Sequence, residues 1–340
     1  MEYFIVAVLL LILMLAYFQI AEKYNIIDKP NHRSAHTEIT LRGGGVIFPI
    51  AYLFFMVHEI FFKQNGSLNH AEPKYWIFGA GLLIICTISF IDDLMDLSRK
   101  LRIIFHFISV TLLLVFLNAF SVLPVWSIPI FYILIIGILN AYNFMDGING
   151  ITGLYSLVIL LSLLYVNQYL TDFVHPDFII FPVLGCVVFL FFNFRKRAKC
   201  FMGDIGSMGI AFWVISLIGL LIIKTGEAKW ILFLTVYGVE VIFTILERLQ
   251  LKENIFEAHR RHLYQLLANE KKVSHLVVSF FYAITQVVLN VLIIYIDLPD
   301  YLYFPAIIIP SVIFYLYTKF LIKKQILFKH QINENPTNPT

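Results

Sequence analysis

Residues Gly203 to Ile223 read GDIGSMGIAFWVISLIGLLII. From Ser207 onward the stretch carries no charge, and it is one of a series of apolar runs of about 18 to 25 residues, each long enough to cross roughly 30 Å of hydrocarbon as a helix. Eleven such runs are read, at 3–20, 43–62, 75–91, 103–122, 127–142, 151–169, 177–194, 207–223, 230–247, 274–296 and 302–321. The segment around Pro124 and Pro129 leaves ten as the alternative, because turns and helix starts share those residues. With 60% hydrophobic and 14% charged residues in 340, the chain is too apolar for a water-soluble fold to hide its side chains. The expectation is an all-α, polytopic transmembrane helix bundle, one domain over residues 1–330, followed by a disordered tail at 331–340 rich in Asn, Pro and Thr.

Lys and Arg set the orientation. If the N-terminus lies outside, the inside segments hold four basic residues in 21–42, three in 92–102, four in 195–199, six in 248–272 and four from Lys319 on. Only Lys63, Lys74, Lys224 and Lys229 remain for the other side, which is the positive-inside pattern. The first run has Glu2 as its only early charge and no basic n-region, so it reads as an anchor rather than a signal peptide. The net charge of +3 is absorbed by orientation, and no nucleic-acid signature is present. Cys86, Cys186 and Cys200 have no CxxC spacing and imply neither a disulfide framework nor a zinc site.

The carboxylates, asparagines and glycines gather on the inside segments. An ionisable group at membrane depth or at a helix end is costly and is a functional hypothesis by default. In the first segment Asp28, Arg33, Ser34 and His36 precede Arg42-Gly43-Gly44-Gly45, whose glycines are expected to leave N–H groups open to a phosphate at a helix start; the plainer reading is a flexible hinge. In the second, Asp92, Asp93 and Asp96 fall within five residues, beside Ser98, Arg99 and Lys100. Three carboxylates so close call for cations among them; Asp96 with Ser98 reads better as a helix cap, and the Asp92-Asp93 pair as functional. In the third, Asn140, Asn143 and Asp146 recur every three residues, on one helical face, ahead of Gly147-Ile-Asn149-Gly150. Such oxygen donors suit Mg²⁺ or sugar hydroxyls, the alternative being polar contacts between helices.

The fourth segment joins an anchoring basic run, Arg195 to Lys199, to Gly203-Asp204-Ile-Gly206-Ser207, where an Asp between glycines can approach a metal-bound phosphate. The last, His259-Arg260-Arg261-His262, offers a bidentate clamp for a pyrophosphate; an amphipathic segment resting on anionic lipid is the competing reading.

Taken in order, the Asp92-Asp93 pair with Lys100, the Asn140 to Gly150 loop, Gly203-Asp204-x-Gly206-Ser207 and the His259 to Gln265 loop resemble the polyprenyl-phosphate N-acetylhexosamine-1-phosphate transferases of the glycosyltransferase 4 family. The resemblance spans about residues 28 to 265, and the wording of its first and last loops is most similar to the branch that begins O-antigen or capsule lipid intermediates. The family often has Asp where this chain has Asn149, and Lys where it has Ser34.

The resemblance implies transfer of an N-acetylhexosamine-1-phosphate from a UDP-sugar to undecaprenyl phosphate, with release of UMP. It implies Mg²⁺, or Mn²⁺ in its place, held by Asp204 and Asn143, with Asp92 and Asp93 serving the lipid phosphate or the metal's surroundings and Lys100 holding a phosphate. Arg260, Arg261 and His262, with His259, would grip the pyrophosphate; Arg42, Asn140, Asp146, Asn149, Gly203 and Ser207 would line the substrate site. The setting implied is the bacterial inner membrane, with the site facing the cytoplasm and a homodimer as an allowed state. Two other classes compete with this reading. Asp92-Asp93-x-x-Asp96 also fits an intramembrane, Mg²⁺-dependent prenyltransferase, but no second Asp-rich site accompanies it. A transporter would place its charges near the midplane and often show a repeat, and neither pattern is present.

Overall fold

The computed structural model describes residues 2–28, 39–63, 72–95, 97–255, 257 and 259–334. Helices dominate: α1 (Glu2–Lys23), α2 (Ile47–His58), α3 (Pro73–Met95), α4 (Arg99–Phe116), a short α5 (Ala119–Val122), α6 (Ile128–Met145), α7 (Ile151–Tyr169), α8 (Asp177–Asn193), α9 (Gly203–Thr225), α10 (Thr235–Gln250), a single turn α11 (Leu263–Gln265), α12 (His275–Tyr295) and α13 (Asp300–Glu334). A 3₁₀ turn, Gly44–Val46, leads into α2, and a π turn, Glu59–Lys63, extends it. Two short strands, β1 (Ile27–Asp28) and β2 (Thr40–Leu41), pair antiparallel.

Every one of the eleven apolar runs falls on a helix, and among the described residues nine helices are long and apolar enough to cross a membrane. The chain is a polytopic helical membrane protein. Helix α8 is shorter than these, at 17 residues, and α4 opens on Arg99, Lys100 and Arg102. The run 103–122 is not one helix: α4 stops at Phe116, and Asn118 takes a left-handed conformation (φ 54°) that starts α5. At the other terminus α13 continues to Glu334, so residues 331–334 are its last turn rather than tail; residues 335–340 lie outside the described ones, as do Arg33, Ser34, His36 and Asp96.

Helix α9, uncharged from Ser207 to Ile223, is the central span, with 83% of its most apolar window buried, against 22% for α6 and 17% for α13, which face outward. An aromatic cluster joins α2, α3, α8 and α9: the Phe78 and Phe178 rings meet edge to face at 4.8 Å, and Trp213 Nε1 donates to the Phe178 carbonyl at 3.0 Å.

The glycines after Arg42 do not hold N–H groups open for a phosphate. Gly44 N–H donates to the Phe201 carbonyl at 2.8 Å and Gly45 N–H to that of Met202 at 2.9 Å. A Cβ on Gly45 would stand 2.0 Å from Gly206 Cα. These residues are glycine because two backbones cross here, the start of α2 lying against the start of α9. That crossing brings the first segment to the mouth of α9, where the C-terminal ends of α3 and α6 also arrive.

Candidate active site

Asp93, at the end of α3, reaches the first turn of α9. Its side chain is 0% exposed, and its Oδ2 accepts the Ile205 backbone N–H at 3.4 Å, as a capping carboxylate does at a helix N-terminus. Gly203 makes room: its φ is +72°, and a Cβ there would stand 2.6 Å from Asp93 Oδ2. Arg42 Nη2 lies 2.6 Å from Asp93 Oδ1 and 3.9 Å from Asp204 Oδ1. Tyr17 steadies that arginine by donating its hydroxyl to the Arg42 carbonyl at 2.7 Å. The Asp204 side chain is 25% exposed, so of the two carboxylates it is the one that faces open space.

Asn143, near the end of α6, completes this corner. Its Nδ2 donates to Ser207 Oγ at 3.3 Å, its side chain also bonds the Asp204 carboxylate, and Ser207 Oγ donates to the Asp204 carbonyl at 3.3 Å. Asp146 follows at the C-cap of α6. Burial pushes its carboxyl up to about 7, a hydrogen bond with Thr152 opposes the rise, and the Asp204 charge adds to it. Six of the residues singled out in the sequence, Arg42, Asp93, Asn143, Asp146, Asp204 and Ser207, therefore share one corner, with Gly203 as its hinge.

Other expected site residues sit elsewhere. Asp92 Oδ1 accepts the Leu97 N–H at 2.7 Å and its Oδ2 pairs with Arg102 Nη1 at 2.7 Å. The cation that answers Asp92 is thus Arg102, one helical turn into α4, while Lys100 stands exposed on the first turn. Ser98 caps α4, accepting the Leu101 N–H at 3.4 Å. Asn140 donates to the Ile136 carbonyl of its own helix at 2.8 Å. Asn149, 5% exposed, donates to the Arg195 carbonyl at 2.8 Å and accepts Ser279 Oγ on its own carbonyl, so it ties the α6–α7 turn to two neighbouring segments.

The basic loop forms its own cleft of ≈ 510 Å³, lined by His259, Arg260, Arg261, Arg248 and Lys323 along with Glu253. Arg248, unremarked in the sequence, organises it by donating to the carbonyls of Ile255 at 3.0 Å and Glu257 at 2.9 Å. Arg261 pairs with Glu253 and, at 3.4 Å, with Glu247; its bonds to Glu253 hold that carboxyl below the usual range. Burial, with His262 and Arg248 nearby, lowers His259 to about 4, so it is neutral near pH 7. His262 is 2% exposed and caps α11 in a reciprocal pair with Gln265, which turns it away from a ligand in the cleft. Tyr264 links loop and corner by donating to the Phe144 carbonyl at 2.9 Å, and Gly147 is small enough to pass beneath its hydroxyl.

The oxygens the corner can offer a ligand come from the Asp204 carboxylate, the Asn143 amide and the Ser207 hydroxyl, since Asp93 is engaged by Arg42 and the Ile205 N–H. That set suits a hard cation such as Mg²⁺ or Mn²⁺, and unlike a zinc site it contains no thiolate or imidazole.

Fold and corner together define a polytopic helical membrane protein with an oxygen-lined anionic site at its helix ends. Residues 75–224, which include Asp92, Asp93, Asn143, Asp146 and Asp204, match the family model described as glycosyl transferase family 4. The chain is 26% identical over 295 residues to the probable undecaprenyl-phosphate N-acetylglucosaminyl 1-phosphate transferase of Bacillus subtilis, covering 80% of this chain and 79% of the relative. It is 26% identical over 270 residues to the undecaprenyl-phosphate alpha-N-acetylglucosaminyl 1-phosphate transferase of Thermotoga maritima (76% and 80%). It is 28% identical over 193 residues to a phospho-N-acetylmuramoyl-pentapeptide-transferase of Petrotoga mobilis (49% and 56%). The family that the motifs resemble is the one whose model matches residues 75–224, and the first two of these relatives are named as undecaprenyl-phosphate sugar 1-phosphate transferases.

Proposed function

We propose that this chain moves an N-acetylhexosamine-1-phosphate from a UDP-sugar to undecaprenyl phosphate, releasing UMP and leaving a lipid-pyrophosphate-linked sugar that starts a cell-envelope polysaccharide. The observation that carries the reading is the meeting of Asp204, Asn143 and Arg42 at the mouth of α9, where apolar spans end and a soluble nucleotide sugar and a membrane-anchored phosphate can both reach. The names of the relatives with the widest coverage support undecaprenyl phosphate as acceptor and N-acetylglucosamine as the sugar. The distribution of Lys and Arg supports a cytoplasmic site with the N-terminus outside, and the wording of residues 259–265 supports an O-antigen or capsule pathway.

In the proposed reaction an oxygen of the lipid phosphate attacks the β-phosphorus of the donor. A new P–O bond forms while the bond to the UMP oxygen breaks, and UMP leaves with the electron pair. The lipid phosphate is already ionised near neutral pH, so no strong general base is required. Asp204 and Asn143 would hold Mg²⁺, which when bound supplies positive charge to the phosphoryl oxygens. Arg42 adds fixed charge beside Asp204, and Asp93 holds both Arg42 and the first turn of α9 in place. Arg102 and the exposed Lys100 flank the lipid-phosphate approach, with Asp92 orienting Arg102. Arg260 and Arg261 grip the pyrophosphate.

The test is UMP release by detergent-purified protein given undecaprenyl phosphate, Mg²⁺ and a panel of UDP-N-acetylhexosamines. UMP and lipid-linked product that both disappear with EDTA and in Asp204→Asn support the reading and name the donor. Absence of UMP from every donor overturns it.

A further inference from the structure

Helix α10 carries a buried glutamate that the reaction above does not use. Glu240 is 1% exposed and lies ten residues before the C-terminal end of α10 at Gln250, roughly 15 Å back into the bundle at the rise of an α-helix. An ionisable side chain inside a span is costly and marks a functional position by default. The chain that follows the basic pair folds back to meet it. Glu240 Oε1 accepts the Leu263 N–H at 2.5 Å and the Tyr264 N–H at 3.4 Å, which are the first two amides of α11. Tyr282 of α12 donates its hydroxyl to Oε2.

The first amides of a helix have no partner within it. Here they are also closed off from water, because Leu263 is buried in an apolar cluster with Val239 and Tyr315, against which Phe243 and Leu267 pack. Each such amide must find an acceptor or destabilise the turn. Glu240 answers two of them with one oxygen, and Gln265 Oε1 accepts the His262 N–H just before them at 3.2 Å. The seated turn joins two parts of the site. Ahead of it, His262 alone separates Leu263 from Arg261, and Arg260 and Arg261 line the basic cleft. Behind it, Tyr264 donates to the carbonyl of Phe144, the chain neighbour of Asn143, at 2.9 Å. Glu240 does not itself line the cleft.

We propose that Glu240 is a positioning residue for the diphosphate of the nucleotide sugar: by seating the turn from His262 to Gln265, it sets where Arg260 and Arg261 stand relative to Asn143 and Asp204. This role rests on the reaction proposed above, in which those arginines grip the pyrophosphate. A contact that only stabilised the bundle would lower the unfolding temperature and the yield of active protein, and would leave the KM for the nucleotide sugar where it was.

The experiment uses the full chain in detergent at fixed undecaprenyl phosphate. Glu240→Leu keeps most of the volume and removes both acceptor oxygens, whereas Glu240→Gln keeps an oxygen for Leu263 and Tyr264 and offers an amide to the Tyr282 hydroxyl. Glu240→Leu is expected to raise the KM for the UDP-sugar about tenfold with kcat changing less, and Glu240→Gln to stay within about twofold of wild type. In a chain already carrying Arg260→Ala and Arg261→Ala, Glu240→Leu should raise KM little further, because its effect passes through those side chains. Hydrogen exchange over residues 262–266 should be slow in wild type and in Glu240→Gln and fast in Glu240→Leu, with α3 and α9 unchanged.

An active wild type with an unchanged KM in Glu240→Leu, or with a loss of kcat alone, overturns the role of Glu240 and leaves the reaction standing. So does a Glu240→Gln chain as impaired as Glu240→Leu. A wild-type chain that releases no UMP overturns the reaction itself, and this role with it. Where Glu240→Leu does not fold, Glu240→Asp, which draws the oxygens back by one methylene, takes its place: an intermediate rise in KM is expected, and an unchanged KM contradicts the proposal. Fast exchange over 262–266 in the wild-type chain contradicts it as well.

Discussion

The Arg42 guanidinium stands between two carboxylates, 2.6 Å from Asp93 and 3.9 Å from Asp204. Asp93 is fully buried and Asp204 partly open, so the arginine answers a structural charge on one side and faces the open corner on the other. Burial of the arginine opposes its charge, while Asp93 and Asp204 raise its pKa and hold it protonated. Arg42→Ala leaves Asp93 buried without its cation, and breaking a buried pair in this way costs ~3–5 kcal/mol. The expected result is a lower unfolding temperature together with loss of UMP release. Arg42→Ala with Asp93→Asn should recover stability and not activity, which thermal unfolding and turnover measured side by side will separate.

Gly45 and Gly137 make a matched pair for a packing test. Any Cβ at Gly45 meets Gly206 Cα, whereas one at Gly137 has nothing within 4 Å. Gly45→Ala is expected to abolish or severely reduce folded protein, because neither backbone can give way without breaking the bonds to Phe201 and Met202. Gly137→Ala, in the middle of α6, is expected to be neutral or stabilising by up to ~1 kcal/mol. Gel-filtration yield and unfolding temperature check both.

Asp146 sets a pH dependence of stability. Its folded pKa of about 7 lies above the ordinary 3.8, so the folded chain favours the protonated form. The contribution is fully present below the ordinary value and is lost as pH rises toward and through about 7. With Mg²⁺ removed by EDTA, Asp146→Asn should be more stable than wild type at about pH 8 and match it at about pH 4. An unfolding-temperature profile over that range provides the check.

His259 runs the other way. Its pKa is lowered from 6.5 to about 4, so the folded loop favours the neutral ring and loses that stability as pH falls from about 6.5 toward 4. The protection factors of residues 259–265, taken after correction for the pH dependence of intrinsic exchange, should therefore fall between about pH 7 and pH 5, and His259→Asn should remove much of the change.

Glu253 competes for Arg261 in the basic cleft. Glu253→Gln should lower the KM for the nucleotide sugar several-fold, and Arg261→Ala should raise it, with kcat changing less in each case. Steady-state kinetics at fixed undecaprenyl phosphate distinguish the two.

The helices were legible because uncharged runs such as 207–223 leave a membrane chain no alternative to burying its backbone bonds within each span. What stayed hidden depended on where chains cross. The break at Asn118 lies inside an apolar run with no proline to mark it. Gly44 and Gly45 looked like a phosphate cradle, and only the meeting with Gly206 identifies them as a close backbone crossing. The cations called for by Asp92 and its neighbours could be a metal or basic side chains, and the turn at Ser98 decides for Asp92 by swinging Arg102 onto it. The corner itself was more readable, because Asn143, Asp146 and Asp204 are rare polar residues at helix ends.

The central claim is that phosphorus travels with the sugar, and the most direct measurement follows the β-phosphate. The protein is given undecaprenyl phosphate, Mg²⁺ and UDP-N-acetylglucosamine labelled at the β-phosphorus. The account predicts label in the lipid product and unlabelled UMP in solution. Label recovered in solution as UDP, with the lipid carrying sugar but no labelled phosphorus, would mean ordinary glycosyl transfer and contradict it.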